Sequence, residues 1–135
     1  MQKVAIERNG QLALHTAGQD ATVHDLLRHT AGLSYEFLGT AEVQRQYTAL
    51  QMGSRERSNT EFSRVLAAIP LMYQPGSIWE YSRATDVLGR LVEVWSGHSL
   101  GAFLQRHILG PLGMRDTAFH VPQAQHGRIA QQFAQ

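Results

Sequence analysis

The 135-residue sequence contains no cysteine and only one lysine, Lys3. Without cysteine, disulfide scaffolds, thiolate enzymes and cysteine-ligated zinc sites are excluded. Because the one lysine stands at position 3, the sequence holds no Ser-x-x-Lys, no Lys-Thr-Gly and no phosphate-binding loop that ends in Lys-Ser or Lys-Thr. Apart from Lys3, the positive charge of the chain is carried by arginines.

Long apolar runs and an excess of one charge are also lacking. No stretch approaches the ~20 apolar residues of a membrane-spanning helix, and residues 1–8 contain no apolar run of signal-peptide length. We therefore expect the chain as given to be soluble and cytoplasmic; a signal on a preceding segment would reverse this, so the location of the whole protein is left open. The net charge of +1 argues against nucleic acid as the main partner.

Seven histidines raise the question of a metal site. His24 and His29 are five residues apart, which does not place them on one face of a helix, and the other histidines are scattered. His-Glu-x-x-His does not occur, and no carboxylates stand at matching spacing. The sequence therefore predicts no metal and no cofactor, and it favours surface or capping histidines.

The length suits one domain, and the apolar fraction of 43% is ordinary for a globular protein. Residues 4–14 alternate weakly around Asn9-Gly10, which predicts a β-hairpin. Two strands alone are marginally stable, so we expect the hairpin to pack against other parts of the chain.

From Thr22 onward, apolar residues recur with helical spacing. Thr22 and Asp25 form a Thr-x-x-Asp start that resembles a capping box, and Trp79 and Trp95 are expected in the core. The fold class is therefore mainly α with minor β-hairpin content near the N-terminus. The predicted helices run from Thr22 to a stop near Ala31-Gly32, over Ala41–Met52, from a cap at Asn59 or Thr60 to Pro70, from a cap at Ser82 to Gly97, and from a cap at Ser99 to Gly110-Pro111, with residues 128–135 beginning another helix or fraying.

Two segments carry a specific resemblance. The first covers residues 22–35, T-V-H-D-L-L-R-H-T-A-G-L-S-Y. The second combines Q-P-G-S-I-W-E-Y-S-R at 74–83, D-V-L-G at 86–89, S-G-H-S-L at 96–100 and P-L-G-M-R-D-T-A-F at 111–119. In order and approximate spacing, they resemble segments of the superfamily that contains class C β-lactamases, family VIII carboxylesterases and penicillin-binding proteins. The resemblance spans most of residues 20–122.

This resemblance implies the helical lobe of the β-lactamase/transpeptidase-like fold and a serine acyl-enzyme mechanism. Tyr81 matches the family's general base and is the candidate catalytic residue, and the adjacent Ser82 and Arg83 are the candidate substrate-binding residues. A phenol with an ordinary pKa of about 10 needs nearby positive charge to act at neutral pH. Arg83 stands where many members have asparagine, which favours an ester, although β-lactam and D-alanyl peptide substrates stay open.

The resemblance also sets an expectation for domain organisation. Residues 1–135 are expected to be a single partial domain, from which the nucleophile helix and the C-terminal sheet strands are absent. We therefore expect a truncated gene product or an excised domain that is inactive alone, whereas the intact parent acts on a small-molecule acyl substrate. Two alternatives remain: a non-catalytic helical module that binds a partner or self-associates through the surface the missing sheet would cover, and an enzyme completed by a second chain.

Overall fold

The computed structural model describes residues 2–8 and 11–130 of the chain. Strands β1 (Lys3–Arg8) and β2 (Gln11–Thr16) pair in antiparallel fashion, with Lys3 opposite Thr16. The predicted hairpin is therefore confirmed, whereas its proposed turn at Asn9-Gly10 lies outside the described residues.

The hairpin packs against the rest of the chain through Leu71, which makes an isolated parallel bridge with Val4. The Leu71 N–H donates to the Lys3 carbonyl oxygen at 2.7 Å, and the Ala5 N–H donates to the Leu71 carbonyl oxygen at 2.8 Å. Val4 and Leu71 are both 2% exposed. The hairpin thus has the additional support that two strands need.

Helices form most of the regular structure that follows. The π-helical turn continues α5 directly, so these two make one helical segment. The described residues contain only one sheet, of two strands, so the mainly α fold class is confirmed. No helix in this part of the chain is long and apolar enough to cross a membrane. The helices are α1 (Val23–Leu27), α2 (Glu42–Ala49), α3 (Asn59–Leu66), α4 (Ala84–Ser96), α5 (Leu100–Leu104), the π-helical turn (Gln105–Leu109) and a 3₁₀ helix (Gln123–Arg128).

Local capping chemistry sets where the helices begin. The capping box of Thr22 and Asp25 is confirmed, and the Ser99 hydroxyl caps α5 as predicted. The predicted cap of α3 at Asn59 or Thr60 is wrong, because Ser58 forms a capping box with Glu61 one residue earlier. The predicted cap of α4 at Ser82 is also wrong: Arg83 precedes the helix without a capping side chain.

The first two helices end earlier than predicted, and both end at a side-chain-bearing residue in the left-handed conformation. After α1, His29 has φ of 57°, the Thr30 N–H donates to the Asp25 carbonyl oxygen, and the His29 N–H donates to Leu26. This is a Schellman motif, in which histidine occupies the position that glycine usually takes. Gln51, with φ of 49°, ends α2 in the same way. The predicted stops at Gly32 and Gly53 were therefore placed too late.

Of the later helices, one ends where predicted and one ends earlier. Helix α4 ends at Gly97 with φ of 70°, as predicted. Helix α3 ends at Leu66, four residues before Pro70. A 3₁₀ helix covers Gln123–Arg128, and residues 131–135, which make up most of the predicted terminal helix, lie outside the described residues.

The hydrophobic core lies between the hairpin, helices α1 to α3 and the first half of α4. Helix α4 contacts α1, α3 and α5, but its C-terminal half is largely outside the core. Trp95 is 68% exposed and Trp79 is 67% exposed, so the expectation that both tryptophans are buried is wrong. The buried apolar residues are Val4, Ala17, Leu26, Ala31, Leu33, Val43, Tyr47, Met52, Phe62, Leu66, Ile69, Leu71 and Ala84.

Candidate active site

The two sequence motifs meet in space. Residues 29–36, which follow α1, run beside residues 79–83, which lead into α4. The Glu80 N–H donates to the His29 carbonyl oxygen at 3.0 Å, and the Arg83 N–H donates to the Ser34 carbonyl oxygen at 3.4 Å. Backbone hydrogen bonds therefore fix the candidate site residues against the end of α1.

The His29 side chain adds a second connection between these segments. Its Nδ1 atom accepts a hydrogen bond from the Ser82 backbone N–H at 3.2 Å, and the Ser82 Oγ atom lies 3.2 Å from the same nitrogen. Because a backbone N–H can only donate, Nδ1 carries no proton in this contact, and the neutral ring has its proton on Nε2. Ser82 is fully buried. Its hydroxyl is thus engaged inside the protein.

Tyr81 is the predicted site residue that solvent reaches most freely, since half of it is exposed. Its ring centroid lies 5.1 Å from that of His29 and 5.0 Å from that of Tyr35. Burial, followed by the negative charge of Asp86 and a side-chain hydrogen bond to Tyr81, raises the pKa of Tyr35 to about 12. Two phenols therefore lie together, and Tyr35 holds its proton strongly.

Two exposed aromatic side chains contact the rings that lie against Tyr81. Phe37 stacks on Tyr35 with a centroid distance of 4.8 Å and is 67% exposed, as is Trp79. Trp79 also makes an edge contact with the His29 ring at 6.4 Å. We call Tyr35, Phe37, Trp79 and Tyr81 the aromatic wall. An exposed apolar cluster of this kind commonly marks a binding surface.

Arg83 lies behind the aromatic wall. Its side chain is 14% exposed, and its Nη2 atom lies 2.5 Å from the Glu36 Oε1 atom. Its Nη1 atom lies 3.9 Å from Asp86 Oδ2, and its guanidinium carbon lies 4.6 Å from the centroid of the Tyr35 ring. The charge of Arg83 is therefore balanced by carboxylates and directed at Tyr35.

The structure brings the three predicted site residues together but exposes them differently. The Tyr81 ring is accessible, whereas Ser82 is buried and Arg83 is nearly so. The roles of Ser82 and Arg83 in substrate binding stay predictions. His29 and Tyr35 lie within the first motif, but the sequence assigned neither of them a role at the site. Their contacts with Tyr81 depend on a long-range pairing that periodicity does not reveal.

This geometry can be compared with that of known proteins. A sequence model described as Beta-lactamase matches residues 11–134. The chain belongs to the beta-lactamase family. The match confirms the resemblance found in the sequence, and it identifies the chain as a relative of serine hydrolases.

Individual members of the beta-lactamase family are similar in sequence to this chain. It is 42% identical over 100 residues to esterase EstB of Burkholderia gladioli, which covers 73% of this chain and 26% of that protein. It is 39% identical over 103 residues to monacolin J acid methylbutanoyltransferase of Aspergillus terreus, which covers 76% of this chain and 24% of that protein. The chain thus spans about a quarter of the length of these relatives.

A solved structure supports the same family at the level of the fold. EstCE1, described as a hydrolase with promiscuous acyltransferase activity, superimposes with a TM-score of 0.67 and 32% identity over 77% of this chain and 28% of its own. The described residues therefore form a mainly helical lobe of the beta-lactamase-like fold.

Another serine pattern lies between helices α4 and α5. Residues 97–101 have the form Gly-x-Ser-x-Gly, which in α/β-hydrolases places a nucleophilic serine on a turn between a strand and a helix. Here the pattern joins helix α4 to helix α5, and the Ser99 hydroxyl accepts the Ala102 N–H at 3.3 Å. Ser99 is therefore a helix cap.

Among the described residues no group of histidine and carboxylate side chains is arranged to hold a metal.

Proposed function

We propose that this segment forms the tyrosine side of the active site of a serine hydrolase or acyltransferase that processes esters through an acyl-enzyme. The observation that carries the proposal is the half-exposed ring of Tyr81, held against the rings of His29 and Tyr35 at 5.1 and 5.0 Å. A proton-transferring group must be both accessible and fixed in position. Tyr81 meets both conditions.

In the proposed reaction, a serine from a Ser-x-x-Lys segment of the whole protein attacks the ester carbonyl carbon. Its proton passes to Tyr81, which accepts it as the phenolate and then gives it to the leaving alcohol. In the next half-reaction water or a second alcohol attacks the acyl-enzyme, and its proton returns through Tyr81 to the released serine oxygen. No complete Ser-x-x-Lys occurs within these 135 residues, so the proposed nucleophile belongs to another part of the whole protein. Tyr81 is therefore one part of a site that other residues complete.

The aromatic wall supports an ester with an apolar acyl or alcohol group as the substrate. Phe37 and Trp79 contact the Tyr35 and His29 rings that lie against Tyr81, and each is two-thirds exposed, so they offer flat apolar surface at low entropic cost. Ser82 and Arg83 are assigned to the same binding region: Arg83 lies against the Tyr35 ring of the wall, and Ser82 bonds the His29 side chain. The printed names of the relatives, an esterase, a hydrolase and an acyltransferase, favour an ester over a β-lactam.

Two activity measurements test this proposal, the first on the chain alone. We expect no turnover of p-nitrophenyl acetate or nitrocefin and no labelling by a fluorophosphonate, because the chain has no Ser-x-x-Lys nucleophile. Turnover by the chain that Tyr81→Phe abolishes would contradict this part of the proposal.

The second measurement supplies the missing nucleophile. In a chimera, the matched residues of the Burkholderia gladioli esterase are replaced by those of this chain, and hydrolysis of p-nitrophenyl butyrate is followed. Tyr81→Phe is expected to lower kcat by about 10²–10⁴-fold, the usual contribution of a positioned acid or base. Tyr73→Phe removes a hydroxyl that donates to Glu80 at 2.9 Å and serves as the matched control. Equal kcat for Tyr81→Phe and the unaltered chimera would refute the role of Tyr81.

A second candidate function is a non-catalytic helical module that self-associates. It is favoured by exposed apolar side chains on α4 and after the π-helical turn, such as Trp95 at 68%, Leu112 at 69% and Phe119 at 72%. Light scattering coupled to size-exclusion chromatography distinguishes the two candidates. A concentration-dependent dimer that Trp95→Ser disrupts would support the module, and a monomer at all concentrations would count against it.

A further inference from the structure

We propose that Arg83 is a positioning residue for Tyr81, which acts through the ring of Tyr35 and is itself held by Glu36. The inference rests on the proposed role of Tyr81 but concerns a different property, namely what fixes the place of that phenol. It assigns to Arg83 a task other than direct contact with substrate.

The first step is the anchoring of Arg83. Its Nη2 atom lies 2.5 Å from Glu36, and its side chain is only 14% exposed. Asp86, in the first turn of α4, lies 3.9 Å from the Nη1 atom. The guanidinium thus connects the start of α4 to the segment after α1, and two carboxylates restrict its movement.

The second step is the contact with Tyr35. The guanidinium carbon lies 4.6 Å from the Tyr35 ring centroid, within the range of cation–π attraction. The same ring contacts Phe37 at 4.8 Å and Tyr81 at 5.0 Å. Because Tyr35 lies in contact with both Arg83 and Tyr81, displacing the guanidinium is expected to displace the pair of phenols.

The third step is that the ion pair is incompletely satisfied. The Arg83 Nε atom and the Glu36 Oε2 atom are buried without a hydrogen-bond partner among the described residues. Buried ion pairs with unsatisfied atoms contribute poorly to stability, since desolvation offsets their attraction. A contribution to stability therefore does not account for this ion pair. Positioning of the adjacent Tyr35 ring does account for it.

The fourth step is the room left for the pair by Gly53. A Cβ atom at this position would lie 2.7 Å from Glu36 Oε1 and 3.3 Å from Arg83 Nη2. The φ angle of Gly53 is not in the left-handed region that favours glycine, so backbone conformation does not demand this glycine. The close approach of Gly53 to the ion pair is what requires a residue without a side chain. Gly53→Ala should therefore disturb the ion pair without removing either charge.

Nuclear magnetic resonance of this chain tests the proposal independently of catalysis. The four tyrosines are labelled with ¹³C at Cζ and assigned by single Tyr→Phe substitutions. In Arg83→Met we expect the nuclear Overhauser contacts between the rings of Tyr35 and Tyr81 to disappear and the Tyr81 resonance to move toward that of free tyrosine. Arg83→Lys should fail to restore them, because an ammonium lacks the planar fork that stacks on the ring while bonding Glu36.

Two further variants make the test decisive. Arg90→Met removes a partly buried arginine from α4, paired with Glu93 at 3.3 Å, and should leave the Tyr35 and Tyr81 resonances unchanged. Gly53→Ala should shift them in the same direction as Arg83→Met but less, and it replaces that variant if Arg83→Met does not fold. Persistent Tyr35–Tyr81 contacts in Arg83→Met, or unchanged tyrosine resonances in both Arg83→Lys and Gly53→Ala, would overturn the proposal.

The chimera described above separates this inference from the proposed function. Arg83→Met is expected to lower kcat by up to about 10²-fold, the effect of a small misplacement of a reacting group, with a smaller change in KM. A loss of kcat in Tyr81→Phe but not in Arg83→Met refutes the positioning role and leaves the function standing. Lost ring contacts in Arg83→Met together with an unaffected Tyr81→Phe refute the function and leave the positioning role standing.

Discussion

The two ends of this chain differ in how they use apolar residues. Every buried residue in the described part of the chain lies between Val4 and Gly89, whereas none from Arg90 to Ala130 is buried. Both regions have capped helices with apolar residues at helical spacing. The difference therefore lies in whether a partner surface is present, because the sequence pattern is similar in both. Periodicity identifies a helix; burial depends on what lies opposite its apolar face.

The candidate site belongs to the first region, and this placement has a consequence. The contacts that hold Tyr81, from His29, Tyr35 and the backbone of residues 29–36, are made within the part of the chain that has its own core. The tyrosine side of the site is thus organised without help from Trp95, Leu112 or the residues between them. We use matched substitutions in the two regions to test this contrast.

The largest effect is expected from one leucine in each region. Leu66, at the end of α3, is 5% exposed, whereas Leu112 is 69% exposed. Leu66→Ala should lower the free energy of unfolding by about 2–5 kcal/mol through lost burial and an incompletely filled cavity, and Leu112→Ala by less than about 0.5 kcal/mol. Urea unfolding followed by circular dichroism measures both. Similar midpoints for the two variants would show that the second region has a core of its own.

An effect of intermediate size on stability is expected from one aspartate in each region. Hydrogen bonds from Thr22, then from Thr30, hold the pKa of the buried Asp25 well below its usual 3.8; hydrogen bonds from Arg128 also lower the pKa of the exposed Asp116. Asp25→Asn should lower the free energy of unfolding by about 1 kcal/mol, the worth of a helix cap, whereas Asp116→Asn should change nothing measurable.

The pH dependence of Asp25→Asn follows from the direction of the pKa shift. A carboxyl whose pKa is lowered on folding contributes stability that is fully present above its unfolded value of 3.8 and is lost as pH falls through the folded value. The difference between the original chain and Asp25→Asn should therefore be constant at neutral pH and shrink below about pH 4. A difference that persists unchanged at lower pH would assign the effect of Asp25→Asn to shape instead of charge.

The sequence predicted the elements and missed the contacts between them. The hairpin, the five helices and the capping box at Thr22 depend on residues within a few positions of one another, so local chemistry suffices to predict them. The stop of α1 was placed at Gly32 because glycine is the usual residue at this position. His29 takes the left-handed conformation instead, at a cost of about 1 kcal/mol, and its side chain bonds Ser82, 53 residues further along the chain.

The same difference between local motifs and long-range contacts applies to the candidate site. Tyr81 and its neighbours Ser82 and Arg83 could be named because a local motif contains them. The Arg83–Glu36 pair could not, because 47 residues separate its members and no spacing rule connects them. The exposure of Trp79 and Trp95 was missed for a related reason. Large aromatic residues are buried on average, and only the tertiary structure decides whether a particular one has a partner.

The smallest expected effect is a change in the pKa of a single phenol, Tyr35. It shows whether a charged side chain in the first region alters the electrostatics of the candidate site. After burial, the negative charge of Asp86 is the largest contribution that raises the pKa of Tyr35 to about 12. Removing that charge relieves the repulsion that disfavours the phenolate, so Asp86→Asn should lower the pKa of Tyr35. A ¹³C titration of the labelled tyrosines measures it, with Asp116→Asn as the control in the second region. Because burial also raises the pKa of Tyr47 to about 12, its resonance serves as an internal reference that should move little; equal shifts at both tyrosines would mean that Asp86→Asn loosens the fold instead of removing a local charge.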